Sequence, residues 1–266
     1  MSLTNDSYNS IRHFEKYGFA SFKKIINQAT IQQIKAFFIE KKEGLNKYCL
    51  DKYNVTLEES GELAKSLEGH ILDDNAQDRF LFSGVFPTID RLSDDAATIF
   101  NEPKLIELLQ ELLSSKNIYA HLPLMARYVI PNSQTAAVPP HRDRDYNNHL
   151  SNFLTVWIPL VDINKSCGGV SFYVGENNQR CSNVDENITG FWHDAMNISG
   201  LDCQSPHLSV GDVLIFNSQV IHGSANNTSN NTRFSLDLRF FSERDSSTKH
   251  YINILTKEKI APKDAK

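Results

Sequence analysis

The chain has 266 residues, 40% hydrophobic and 22% charged, close to the globular average, which excludes wholesale disorder and allows one domain with a real core. Its 27 basic against 32 acidic residues, a net charge of -5, leave no electrostatic footprint for nucleic acid or an anionic membrane. Cys49, Cys167, Cys181 and Cys203 form no zinc or disulfide pattern, and the N-terminus MSLTNDSYNSIRHFEKYGF lacks the apolar core of a signal peptide, so free thiols and a cytoplasmic protein are expected. The Asn-x-Ser/Thr triplets at Asn187, Asn197 and Asn230 are assigned to chance in an Asn-rich chain.

In chain order, Ile11 to Phe22 reads as a short helix leading into a strand. From Ala29 to Lys42, Ile31, Ile34, Phe38 and Ile39 recur near helical spacing with Lys and Glu opposite, which predicts an amphipathic surface helix. Residues 43 to 80 show no clean period and read as helical or irregular cover. Asn101 to Ser114 is the strongest helix, with Asn101 as N-cap, Glu102 and Pro103 in the first turn, and apolar residues at 105, 106, 108, 109, 112 and 113. From Ile118 the texture changes to short strands, IYAHLPLMARYVI, NFLTVWIPLVDI, GGVSFYV, HLSVGDVLIF and TRFSLDLRFF, separated by Pro, Gly and Asn clusters. Helices followed by consecutive strands predict a mostly β sandwich or barrel with a helical buttress. A single domain is expected over 1–266, with 1–117 mainly helical and 118–245 forming the core. The patternless 176–206 segment is long for a loop and is read as an insertion bordering the substrate pocket.

The segment VPPHRDRD at 138–145 carries the decisive signal. On an extended chain His141 and Asp143, two apart, point to one side and can present an imidazole and a carboxylate to one metal. His222, in VIHGS after the strand GDVLIF, is the candidate third ligand. Two histidines and one carboxylate on one face leave positions open for a cosubstrate and dioxygen, the facial triad of non-haem iron oxygenases. Beyond His222, Arg233, Ser235, Asp237 and Arg239 alternate with Phe234, Leu236, Leu238 and Phe240, making one polar and one apolar strand face. A guanidinium fork pairs with a carboxylate in bidentate fashion, so Arg233 can hold the distal carboxylate of 2-oxoglutarate, and Ser224 can add a hydroxyl.

Other residues compete for these roles. Asp145, four residues past His141, falls about 13 Å along an extended chain and is the weaker carboxylate candidate. His149 lacks an acid two residues on, while His13, His70, His121, His193, His207 and His250 have no partner at ligand spacing and read as surface or core. Trp157 reads as core more readily than as pocket wall, and Trp192, beside His193 in the irregular 176–206 segment, is the aromatic more suggestive of substrate contact. Arg142 and Arg144 are ordinary charges at a strand end unless one points inward, in which case the substrate is anionic.

On HRD at 141–143, LTVWIPLVDINKSCGGVSFYVG at 154–175, GDVLIFNSQVIHGS at 211–224 and NTRFSLDLRF at 231–240, and more weakly on YGFASFKKIINQATIQQIK, the chain resembles the phytanoyl-CoA dioxygenase family. The resemblance implies a double-stranded β-helix (jelly-roll, cupin-like) core and a dioxygenase using Fe(2+), 2-oxoglutarate and O2. It matches His141, Asp143 and His222 to the iron ligands, Arg233 with Ser224 to the 2-oxoglutarate anchor, and Tyr128 and Thr155 to further cosubstrate contacts. The stretch VGENNQ at 174–179 departs from the family's Pro-Gly-Ser-His type turn. The activity implied is hydroxylation of a small molecule with release of succinate and carbon dioxide, by a monomer or homodimer. Desaturation or cyclisation by the same oxidant stays open, as does a non-catalytic jelly-roll binding protein. A hydrolase or isomerase with another metal has no need of the dicarboxylate anchor.

Overall fold

The structure is a computed structural model that describes residues 5–59, 84–133, 136–175 and 198–262. Helix α1 (Asn5–Tyr17) passes through Gly18 into strand β1 (Phe19–Phe22). Helix α2 (Gln28–Tyr53) starts where the Asn27 side chain accepts from the Ala29 N–H and stops at Asn54 in the left-handed conformation. It runs well past Lys42 because Leu45 and Cys49 continue the buried stripe of Ile31, Ile34 and Phe38, whereas Ile39 falls off that stripe and is exposed.

Helix α3 (Pro103–Leu112) buries Leu105, Leu108 and Leu109. Its cap corrects the sequence expectation: Asn101 lies in a preceding 3-10 turn, and Glu102 holds the cap position without a capping bond of its own. The buried Glu102 carboxylate instead accepts from the Asn27 N–H at 3.0 Å and from the Thr30 hydroxyl, tying the start of α3 to the start of α2. A tertiary partner outcompetes the local cap.

The remaining strands are β2 (Ile118–His121), β3 (Met125–Val129), β4 (Phe153–Pro159), β5 (Val170–Val174), β6 (Asp202–Gln204), β7 (Val213–Asn217), β8 (His222–Ser224), β9 (Arg233–Ser242), β10 (Tyr251–Asn253) and β11 (Lys259–Ile260). The larger sheet runs β1-β7-β4-β9-β2-β10-β11 with β3 also on β9, the smaller runs β6-β5-β8, and the pairings are antiparallel. Ten-residue β9 is the spine. One edge takes β4 along its length, and the other takes β3 against its first half and β2 against its second.

Alternation along β9 decides the layers. Phe234, Leu236, Leu238 and Phe240 face the main core with Phe38, Phe86, Phe100 and Leu108, so the polar set on the other face is turned inward between the sheets. Each of those apolar side chains contributes about 1.5–3 kcal/mol on burial, so a one-residue slip is prohibitive. Phe19, Trp157, Leu214 and Phe216 of the larger sheet meet Phe172 of the smaller, with the Phe19 and Phe172 rings stacked 4.0 Å apart. Two antiparallel sheets closed over one another make the jelly-roll core that was expected. Its limits exceed 118–245: β1 pairs with β7 from the N-terminal part, and β10 and β11 extend the sheet beyond residue 245. No helix among the described residues is long and apolar enough to cross a membrane.

Candidate active site

Segment 138–141 lies along the edge of β8. Ser224 donates its N–H to the Val138 carbonyl at 2.8 Å, and His141 and His222 exchange backbone hydrogen bonds at 2.9 and 3.0 Å. That pairing sets the two imidazoles side by side, with ring centroids 4.3 Å apart. Each ring turns Nδ1 to a nearby carbonyl, His141 to Pro139 at 2.8 Å and His222 to Val220 at 3.1 Å. With Nδ1 carrying the proton, as these bonds require, each Nε2 presents a lone pair to the cavity.

Asp143 does not sit on a strand. It opens a helical turn, Asp143–Tyr146, and extended Arg142 (φ -116°, ψ 135°) ahead of it keeps Asp143 on the same side as His141. One donor atom from each of His141, Asp143 and His222 lies within 4.8 Å of the others, and His141 Nε2 is 3.7 Å from Asp143 Oδ1. Asp145 takes no part: it pairs at 3.1 Å with Arg142 toward solvent, and Arg144 is exposed, so neither flanking arginine points inward. His149 stacks on His121, and Ser247 lies between their Nε2 atoms, a network separate from the three candidate ligands.

Asp143 is 1% exposed. Burial opposes its charge, but bonded Arg239, with His141 and His222 alongside, holds its carboxyl well below the usual carboxylate range. Arg239 Nη2 donates to Asp143 Oδ1 at 2.8 Å and Thr155 donates its hydroxyl to Oδ2, so both oxygens have partners. Burial, with His141 alongside, lowers His222 to about 3, against the pull of Asp143, so its imidazole is neutral. An ionised carboxylate and a neutral imidazole are the forms a metal requires.

The cavity between the sheets measures about 400 Å³. Arg233 and Ser224 both line it, as the sequence predicts. The Arg233 guanidinium is 3% exposed, donates through Nη1 to the Ala225 carbonyl at 3.1 Å, and has a buried Nε with no acceptor. Thr155 is buried, donates its hydroxyl to Asp143 and is not among the residues lining the cavity. The structure does not bring Tyr128 to the site: its ring packs against Phe86 in the main core, where burial pushes its hydroxyl up. Strand alternation sends its neighbour Arg127, paired with Ser235, into the cavity. The MARYV pattern held that signal, had Met125 and Arg127 been placed on one face and Tyr128 on the other. Trp157 is both core and wall. Arg91, His121, Asp237, Arg239 and Lys249 also line the cavity, and burial lowers His121 to about 3. Leu201 onward joins the fold through exposed β6, whereas Trp192, His193, the triplets at Asn187 and Asn197, Cys181, His70 and most of the 176–206 insertion lie outside the described residues.

Two imidazoles, one carboxylate and a buried, incompletely bonded arginine in one jelly-roll cavity fit a metal and a dicarboxylate together. These features define the class of iron(II)- and 2-oxoglutarate-dependent oxygenases. Within that class the chain belongs to the phytanoyl-CoA dioxygenase (PhyH) family, whose family model matches residues 14–235. It is a non-haem iron oxidoreductase that uses Fe(2+), 2-oxoglutarate and O2 and acts on a small molecule.

Solved structures share the fold at low identity. The non-heme alpha ketoglutarate dependent carbocyclase SnoK from nogalamycin biosynthesis superposes with a TM-score of 0.59 at 16% identity, over 91% of this chain and 85% of that one. The epimerase SnoN of the same biosynthesis reaches 0.57 at 13%, over 92% and 84%. AviO1 from Streptomyces viridochromogenes Tue57 reaches 0.56 at 17%, over 92% and 98%. No curated protein sequence matches the chain.

Proposed function

We propose that His141, Asp143 and His222 hold the iron, that Arg233 with Ser224 anchors the distal carboxylate of 2-oxoglutarate, and that the enzyme hydroxylates an anionic small molecule. The anchor assignment rests on one observation: Arg233 is a buried cation lining the same cavity as the three ligands and, among the described residues, is paired with no carboxylate, whereas Arg239, whose Nε is likewise orphaned, already pairs with Asp143 and Asp237. A bidentate carboxylate supplies what that guanidinium lacks. When bound, the metal and its cosubstrate supply the oxidising power for attack on a C–H bond.

The protein's own residues do the positioning. Carbonyls of Pro139 and Val220 fix the ring planes, Arg239 and Thr155 fix the carboxylate, and Trp157, Phe216 and Val170 wall the cavity against water. The anionic substrate follows from charge. Arg91, Arg127, Arg233, Arg239 and Lys249 face the cavity against Asp143 and Asp237, an excess of three positive charges. A divalent metal and a dicarboxylate cancel one another, so the excess remains for the substrate.

Asp143 occupies the position a halide would need, which disfavours halogenation, and hydroxylation is the default outcome of the same oxidant. The test is succinate formation with iron(II), 2-oxoglutarate and paired anionic and neutral metabolites, with mass analysis of the product. Stimulation by anionic members and gain of one oxygen atom support the reading. A product lacking the added oxygen moves it to desaturation, cyclisation or epimerisation, and stimulation by the neutral members alone overturns the charge argument.

A further inference from the structure

Arg239 shares the polar face of β9 with Arg233, yet it serves a different group. Its Nη2 lies 2.8 Å from Asp143 Oδ1, the carboxylate oxygen that faces His141 Nε2 at 3.7 Å. Its Nη1 lies 3.0 Å from Asp237 Oδ2. The β4–β9 register sets Thr155 directly across from Arg239, so the two residues grip Asp143 from neighbouring strands, one oxygen each. Asp143 is almost fully buried, and a carboxylate in that position needs a positive partner at all times. Among the described residues, Arg239 is the cation bonded to it.

We propose that Arg239, steadied by Asp237, is a resident counter-cation that keeps the metal pocket assembled when no metal is bound and moderates the metal's affinity. The inference rests on His141, Asp143 and His222 being the ligands. A metal entering the pocket meets a carboxylate whose charge is already half shared, and it competes with a guanidinium for Oδ1. The apo protein is therefore stable with its ligands preformed, at the cost of weaker metal binding. Asp237 tunes the balance, because charge it draws from Arg239 is charge that Arg239 withholds from Asp143.

This assignment carries a sign that a merely geometric role does not. If Arg239 only aimed Asp143, its loss would weaken metal binding. If it competes as a cation, its loss strengthens binding while the apo fold suffers. The experiment titrates redox-stable Mn(II) into wild type, Arg239→Gln, Arg239→Lys, Asp237→Asn and Asp143→Ala, and records thermal melts with and without Mn(II). Arg239→Gln is expected to lower the apo melting temperature and to tighten Mn(II) binding about tenfold or more, the scale on which an adjacent opposite charge shifts a carboxylate's proton affinity. Arg239→Lys, which keeps the charge, should stay near wild type in affinity, and Asp237→Asn should move it the other way. If Arg239→Gln folds only when Mn(II) is present, the apo role is upheld, and Asp237→Asn carries the affinity test. Weaker Mn(II) binding in both Arg239 variants, or unchanged binding in Arg239→Gln and Asp237→Asn alike, overturns the proposal. Tight binding that survives in Asp143→Ala would instead overturn the ligand assignment on which it rests.

Discussion

At the residue scale, the three candidate ligands sit at element ends and not in the middle of the core. His141 stands in an isolated bridge, Asp143 opens a single helical turn and His222 begins a three-residue strand. Replacing His141 with Ala should abolish metal-dependent consumption of 2-oxoglutarate while leaving circular dichroism near that of wild type. Near-normal turnover in that variant would remove His141 from the site. Arg233 should govern cosubstrate affinity more than chemistry. Arg233→Ala is expected to cost about 2 to 5 kcal/mol, roughly 30-fold to several thousand-fold in 2-oxoglutarate binding. Arg233→Lys should recover only part, because an ammonium cannot reproduce the two-pronged contact. Anaerobic titration checks both, and Ala binding as tightly as wild type would move the anchor to Arg127 or Arg91, the other buried arginines that line the cavity.

At the scale of elements, the turn before β5 links backbone conformation to the anchor. Gly168 has φ +67°, and a Cβ there would stand 2.4 Å from the Asn226 carbonyl oxygen and 2.7 Å from that of Ala225. The Ala225 carbonyl is the one that accepts from Arg233. Gly168→Ala should therefore lose about 1–2 kcal/mol for the left-handed conformation, more for the clash, and weaken 2-oxoglutarate binding through displaced Arg233. Gly200 also has positive φ (+81°) but open space around its Cβ position, so Gly200→Ala should show the conformational loss without the binding defect. Equal 2-oxoglutarate affinity in the two variants would disconnect this turn from the anchor.

At the scale of the whole molecule, the cavity draws on both sheets, so filling it should clamp them. Mn(II) with 2-oxoglutarate, each at about a hundred times its dissociation constant, should add roughly 2.7 kcal/mol per ligand and together raise the melting temperature by about 10 °C or more. Chelation should reverse the shift. A melting curve indifferent to both additions would mean that the cavity does not bind them as a unit.

The one-dimensional pattern was enough for local decisions. The alternation of β9 and the stripe of α2 up to Phe38 could be read directly, because strand and helix periods dictate which side chains share a face, and the His141, Asp143, His222 set was legible from residue types and motif resemblance. Tertiary structure alone decided which partner each inward group meets. Thr155 and Arg239 are brought to Asp143 by cross-strand register, Tyr128 is drawn into the core by Phe86, Glu102 is taken from local capping by Asn27 and Thr30, and β1 is recruited from the helical part to edge the sheet. Such pairings join residues far apart in the chain. Their energies depend on burial and register, which no local window of sequence contains.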